Sequence, residues 1–86
     1  MPGFVYILQG DIGRFYIGST DRPAQRMAQH ESGYTQTTRN MKNPRLVFQQ
    51  EYPTLLKARQ IEYRLKQLKR KDYIEKIIKE GYIRME

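Results

Sequence analysis

Two short runs rich in aromatic and β-branched residues, Phe4-Val5-Tyr6-Ile7-Leu8-Gln9 and Arg14-Phe15-Tyr16-Ile17-Gly18-Ser19, are separated only by Gly10-Asp11-Ile12-Gly13. So short a connection cannot carry a crossover, and two strands joined this way must pair antiparallel. The glycines bracketing the turn can take the positive φ that a tight hairpin requires. A β-hairpin over residues 4–9 and 14–19 is therefore the element around which the rest must pack. A hairpin alone is marginal in water and needs a further strand or a helical layer.

The remainder supplies both. Asp21-Arg22-Pro23 opens a helix running to about residue 31, with Thr20 or Asp21 as N-cap and Pro23 in the first turn, where its missing N–H costs nothing. Ala24, Met27 and Ala28 form its apolar face, Arg26 and His30 lie one turn apart on a single face, and Ser32-Gly33 ends it. Residues 34–44 are polar and read as a loop. Long connections in small domains tend to be functional, which brings Arg39, Lys42 and Arg45 within reach of a ligand. Residues 45–52 alternate as a third strand, exposed on one side or at an edge, which Pro53 stops. Thr54 caps the longest helix, about residues 55–69, in which Ala58, Ile61, Leu65 and Leu68 recur every three or four positions as a core stripe. Glu62 sits at the margin of that stripe, with Lys66 and Lys69 on the polar side. Asp72-Tyr73-Ile74-Glu75 has the form of a capping box with Asp72 as N-cap, starting a short helix that Gly81 closes and Ile74, Ile77 and Ile78 dock. The fold expected is α+β: a three-stranded antiparallel sheet flanked by helices in the order β-β-α-β-α-α, one domain over residues 1–86.

Composition narrows the chemistry. At 86 residues the chain has apolar material for one core. Absent cysteine excludes disulfide frameworks, thiolate zinc sites and cysteine nucleophiles, and fits a reducing, cytoplasmic compartment. One histidine excludes a histidine-rich metal site. The longest apolar run, residues 4–8, is far short of the ~20 needed to cross a bilayer, and the amino terminus lacks the features of a signal peptide. A formal net charge of +7 and a pI near 9.9 point to a polyanionic partner, nucleic acid before a ribosomal or anionic-membrane surface.

Tyr6, Tyr16, Gly18, Arg26, His30 and Glu62 offer phenols, a cation and one carboxylate. A phosphodiester hydrolase needs such groups to orient and deprotonate water, neutralise non-bridging oxygens and stabilise the leaving alkoxide. Each also has a plainer account. The tyrosines can be half-buried packing residues, Gly18 a bulge, Arg26 and His30 solvated helix surface, and Glu62 a helical ion pair. The basic run from Arg64 to Lys71 is a solvated face before it is a phosphate-tracking one.

Joint spacing separates these accounts. Phe4-Val5-Tyr6 and, nine residues on, Tyr16-Ile17-Gly18 resemble the two halves of the GIY-YIG nuclease signature, followed by Ser19-Thr20, Arg26 and His30. Gly33, Thr38-Arg39, Leu46-Val47-Phe48 and the helix around Glu62 also fit, so the resemblance spans nearly the whole chain and is closest to small stand-alone members. Phe4 replaces the first glycine of the signature, and the asparagine that some members carry after the Glu helix has no counterpart beyond Asn43.

The resemblance implies a divalent-metal-dependent endonuclease acting on DNA, with RNA less favoured, and offers branched or distorted structures in repair or recombination as candidate substrates. It implies that Tyr6 and Tyr16 lie side by side, one of them positioning or deprotonating water. Arg26 would hold the phosphate, His30 assist proton transfer or phosphate orientation, and Glu62 bind one Mg²⁺ or Mn²⁺. Gly18 would allow close backbone approach, and Arg39, Lys42, Lys66, Lys69 and Arg70 would contact nucleic acid. Selectivity would come from substrate shape or from a protein partner. The alternatives are a non-catalytic nucleic-acid-binding module and an interaction subunit of a larger repair factor.

Overall fold

In the computed structural model, which describes residues 1–11, 13–31 and 44–84, the side chains of residues 30 and 31 are not among those described. β1 (Gly3–Gln9) is the middle strand of a three-stranded antiparallel sheet of order β2-β1-β3, between β2 (Phe15–Thr20) and β3 (Arg45–Tyr52). Helix α1 (Pro23–Glu31) follows β2, and α2 (Leu55–Leu68) and α3 (Lys71–Glu80) follow β3. The element order is the expected β-β-α-β-α-α.

The hairpin forms as its sequence requires. Phe4 pairs with Thr20 and Gln9 with Phe15 in an uninterrupted register. Gly13 takes φ 79° and donates its N–H to the Gly10 carbonyl at 3.0 Å, while Gly10 N–H reaches the Arg14 carbonyl at 3.2 Å. Register on the other side is broken once. Ile7 faces Phe48 but Leu8 faces Leu46, so Val47 is the extra residue of a bulge. Strict alternation in β3 therefore fails there: Val47 and Phe48 both join the core, and Leu46 stays 43% exposed.

Alternation in β1 sorts its side chains between two layers. Val5 and Ile7 point into the main core with Ala58, Ile61 and Leu65 of α2 and Ile74 and Ile77 of α3. Tyr6 and Leu8 point the other way, against Tyr16 and Met27. Burying each large aliphatic side chain contributes roughly 1.5–3 kcal/mol. Helix α2 can lie so close only because Gly3 has no side chain: a Cβ there would come within 2.5 Å of the Leu55 Cα and 2.8 Å of the Thr54 carbonyl. Thr54 caps α2 as expected, its hydroxyl accepting from Lys57 N–H at 3.1 Å.

Four details depart from the sequence reading. Leu68 is 40% exposed, because α2 ends there with Lys69 left-handed at φ 50°. Of the three apolar residues expected to face inward from α1, Ala24 and Ala28 are exposed and only Met27 packs against the sheet. The Thr20 hydroxyl accepts from Arg22 N–H at 3.0 Å, forming a turn ahead of α1. Asp72 does not cap α3: the helix starts at Lys71, and the Asp72 carboxylate takes a two-point bond from Arg70, at 2.7 and 3.3 Å. Asp72 therefore lies inside the first turn, where its negative charge suits the amino-terminal end of the helix.

The carboxy-terminal segment is pinned by a side chain that periodicity did not single out. Gln50 accepts from Ile83 N–H at 2.7 Å and donates to the Tyr52 hydroxyl at 3.0 Å, placing Ile83 in the core at 4% exposure. The expected loop at residues 34–44, with Arg39 and Lys42, lies outside the described residues apart from Pro44. Arg45 belongs to β3, where its guanidinium reaches back to the hairpin turn and pairs with Asp11 at 3.1 Å.

Gly3→Ala should destabilise the domain by about 1–3 kcal/mol, since the added methyl meets backbone that cannot rotate away. A lower urea midpoint at unchanged slope is the expected result; an unchanged midpoint would mean that α2 is not held against β1 at this point.

Candidate active site

Four elements send side chains to one cleft of about 390 Å³, lined by Tyr6, Tyr16, Gly18, Ser19, Arg26, Arg59, Glu62, Tyr63 and Lys66. The strand period of two puts Tyr6 and Tyr16 on the same face of the hairpin, with ring centroids 6.3 Å apart and planes tilted by 41°. Gly18 is the direct cross-strand partner of Tyr6. A Cβ at Gly18 would overlap the Tyr6 ring and hydroxyl. Gly18 therefore marks the seat of the phenol ring, in a strand with no bulge.

Arg26, from α1, reaches the same phenol. Its Nε donates to the Tyr6 hydroxyl at 3.4 Å and its Nη1 to Gln29 at 3.3 Å. The hydrogen bond to Tyr6 raises the affinity of Arg26 for its proton above the ordinary value, so the guanidinium is a permanent cation. Burial raises the Tyr6 pKa and outweighs the lowering by the Arg26 hydrogen bond. Tyr6 thus enters the site as a neutral phenol. Tyr16, less buried, lies with its ring centroid 5.8 Å from the Lys66 ammonium.

Glu62, on α2, is 19% exposed and closes the cleft from the helix side. One oxygen accepts from the Ser19 hydroxyl and the other holds Lys66 Nζ at 2.6 Å, one helical turn away. Among the described residues no three histidine, aspartate or glutamate side chains gather into a metal-binding group. The donor set suits a single hard cation all the same, because Mg²⁺ binds through one or two carboxylates and keeps several waters. Lys66 already supplies positive charge at one carboxylate oxygen and is 51% exposed, so its flexible stem can move aside.

Of the residues singled out in the sequence, the structure brings Tyr6, Tyr16, Gly18, Arg26, Glu62 and Lys66 to one opening. Lys69 and Arg70 line a separate groove, where Arg70 is paired with Asp72. His30 lies in the last turn of α1, but its side chain, like Arg39 and Lys42, is outside the described set. Ser19, Arg59 and Tyr63 were not foreseen as cleft residues. Arg59 precedes Glu62 by three positions, so helical spacing was a usable signal; the Ser19 contact depends on how α2 crosses β2.

A family model described as the GIY-YIG catalytic domain matches residues 2–77. The chain belongs to the GIY-YIG family. No curated protein matches it. Among solved structures, the solution NMR structure of a UPF0213 protein from Bacillus halodurans is similar, with 32% identity, 94% of this chain and 87% of that chain covered, and a TM-score of 0.59. The GIY-YIG nuclease resemblance read from the two half-signatures is therefore shown at the level of family and fold.

Tyr6 and Tyr52 are both held above the ordinary phenol value of 10.0, by burial first in each case. Their neutral forms contribute stability that is fully present below pH 10.0 and is lost as pH rises through the folded-state values. Thermal melts should therefore fall above that pH, and less steeply in Tyr6→Phe and Tyr52→Phe. An alkaline decline identical in wild type and both variants would contradict the burial argument.

Proposed function

We propose that this GIY-YIG domain is a divalent-metal-dependent endonuclease that hydrolyses phosphodiester bonds in DNA. The observation that carries the reading is the convergence of two tyrosines, an arginine and one carboxylate, from β1, β2, α1 and α2, on a single cleft. The family and the basic charge of the chain support it.

Arg26 binds the scissile phosphate, and its fixed positive charge offsets the charge growing on the non-bridging oxygens. The neutral Tyr6 phenol keeps the guanidinium oriented and donates a hydrogen bond toward the phosphate. Tyr16, with the Lys66 ammonium beside its ring, orients the attacking water and, in its phenolate form, accepts the water's proton to become the neutral phenol. Glu62, positioned by Ser19, holds one Mg²⁺ or Mn²⁺. When bound, that ion stabilises the leaving oxygen. His30 assists with proton transfer or phosphate orientation. A role in DNA repair or recombination, a protein partner that adds specificity, and a cytoplasmic location complete the reading.

The test incubates the protein with labelled single-stranded, duplex, flap and branched DNAs in Mg²⁺, Mn²⁺ or EDTA. Arg26→Ala and Glu62→Gln should each lower turnover by roughly 10² or more while DNA affinity stays within a few-fold. Equal losses of affinity and turnover in both variants would count against these roles. Salt-sensitive binding without cutting of any substrate would favour a non-catalytic binding module or an interaction subunit.

A further inference from the structure

Beside the cleft, a second groove of about 360 Å³ opens between the hairpin turn and the junction of α2 with α3. Its floor is apolar, formed by Phe15, Ile17, Leu65 and Ile74, and its rim carries Arg14, Lys69 and Lys71. The reaction derived above uses none of these groups. Lys66 lines both openings, so groove and cleft lie on either side of one lysine along the edge of β2.

The charges along the rim are committed unequally. Arg70, at the same rim, is neutralised by Asp72. Among the described residues no acidic side chain pairs with Arg14, Lys69 or Lys71. Lys71 instead lies 5.9 Å from the centroid of the Phe15 ring. Lys69 occupies a left-handed helix terminus, φ 50°, where the backbone favours glycine.

An apolar floor with one aromatic ring, beneath three cations that have no acidic partner among the described residues, matches one chemistry well. Single-stranded nucleic acid presents unstacked base faces to aromatic side chains and phosphates to a basic rim. A regular duplex keeps its base faces stacked and would fill the rim but not the floor. The volume falls near the lower end of the ~300–1,000 Å³ typical of small-ligand pockets, which suits one nucleotide unit.

We infer that this groove takes an unpaired nucleotide of the strand being cut, its base against Phe15 and its phosphates on Arg14, Lys69 and Lys71. The inference rests on the nuclease reading and specifies its substrate as DNA with a single-stranded segment next to the scissile bond.

Binding is measured in EDTA, so that it does not depend on cutting. Methyl resonances of Ile17, Leu65 and Ile74 are followed while a thymidine oligonucleotide, a blunt duplex or a glutamate-rich peptide is added. The oligonucleotide should shift all three, and the duplex and the peptide should not. By fluorescence anisotropy, single-strand affinity should fall at least fivefold in Phe15→Leu and tenfold or more in Arg14→Glu/Lys71→Glu. Lys69→Gly, which suits the left-handed backbone, should weaken single-strand binding without loss of stability; it carries the test if Phe15→Leu does not fold. Equal shifts with duplex, shifts with the peptide alone, or wild-type affinity in the charge variants would overturn the inference. Cutting in Mg²⁺ or Mn²⁺ is scored on the same DNAs. Cutting with no preference for a single-stranded segment overturns the groove assignment and leaves the nuclease, whereas groove shifts without cutting support the assignment and remove the nuclease.

Discussion

β1 is buried on both faces, and that arrangement organises everything else. Val5, Ile7, Tyr6 and Leu8 are each at most 1% exposed, although neighbours along the strand point in opposite directions. A half-solvated strand would need only one covering layer; this one needs two. The layer over Val5 and Ile7 is the helical core of α2 and α3. The layer over Tyr6 and Leu8 contains the cleft residue Tyr16 and Met27 of α1. Stability and the candidate chemistry thus share one strand, and Tyr6 is at once a core residue and a partner of the Arg26 guanidinium.

Two glycines make that sharing possible through close approach. Gly3 lets the start of α2 sit against the backbone of β1, and Gly18 lets the Tyr6 ring lie across β2. Without the first, α2 would stand away from the sheet and carry Glu62 with it. Without the second, the phenol would be displaced from the reach of Arg26. Both are steric constraints, felt through space by residues far apart in the chain.

Charge is organised in the same economical way. Glu62 pairs with Lys66 and Asp72 with Arg70, while among the described residues Arg26 and Arg59 in the cleft and Arg14, Lys69 and Lys71 at the groove have no acidic partner. A net charge of +7 says that a polyanion is the natural partner. Which cations remain uncompensated depends on side chains meeting across elements, and the charge total does not report it. The basic run from Arg64 to Lys71 illustrates the difference: Lys66 is in an ion pair in the cleft, Arg70 pairs with Asp72, and Lys69 and Lys71 stand at the open groove rim.

The sequence by itself determined the hairpin, the order and approximate extent of the strands and helices, the core stripe Ala58-Ile61-Leu65 and the two half-signatures, because each is a local pattern of period, turn chemistry or spacing. That the phenols lie side by side was an implication of the family resemblance, and in the fold the hairpin register puts Tyr6 and Tyr16 on one face. The bulge at Val47, the Gln50 clamp on Ile83 and the Ser19 contact to Glu62 were decided only by tertiary structure. Each depends on groups brought together by packing. A one-dimensional pattern records which groups are available, and only the folded chain decides which of them meet.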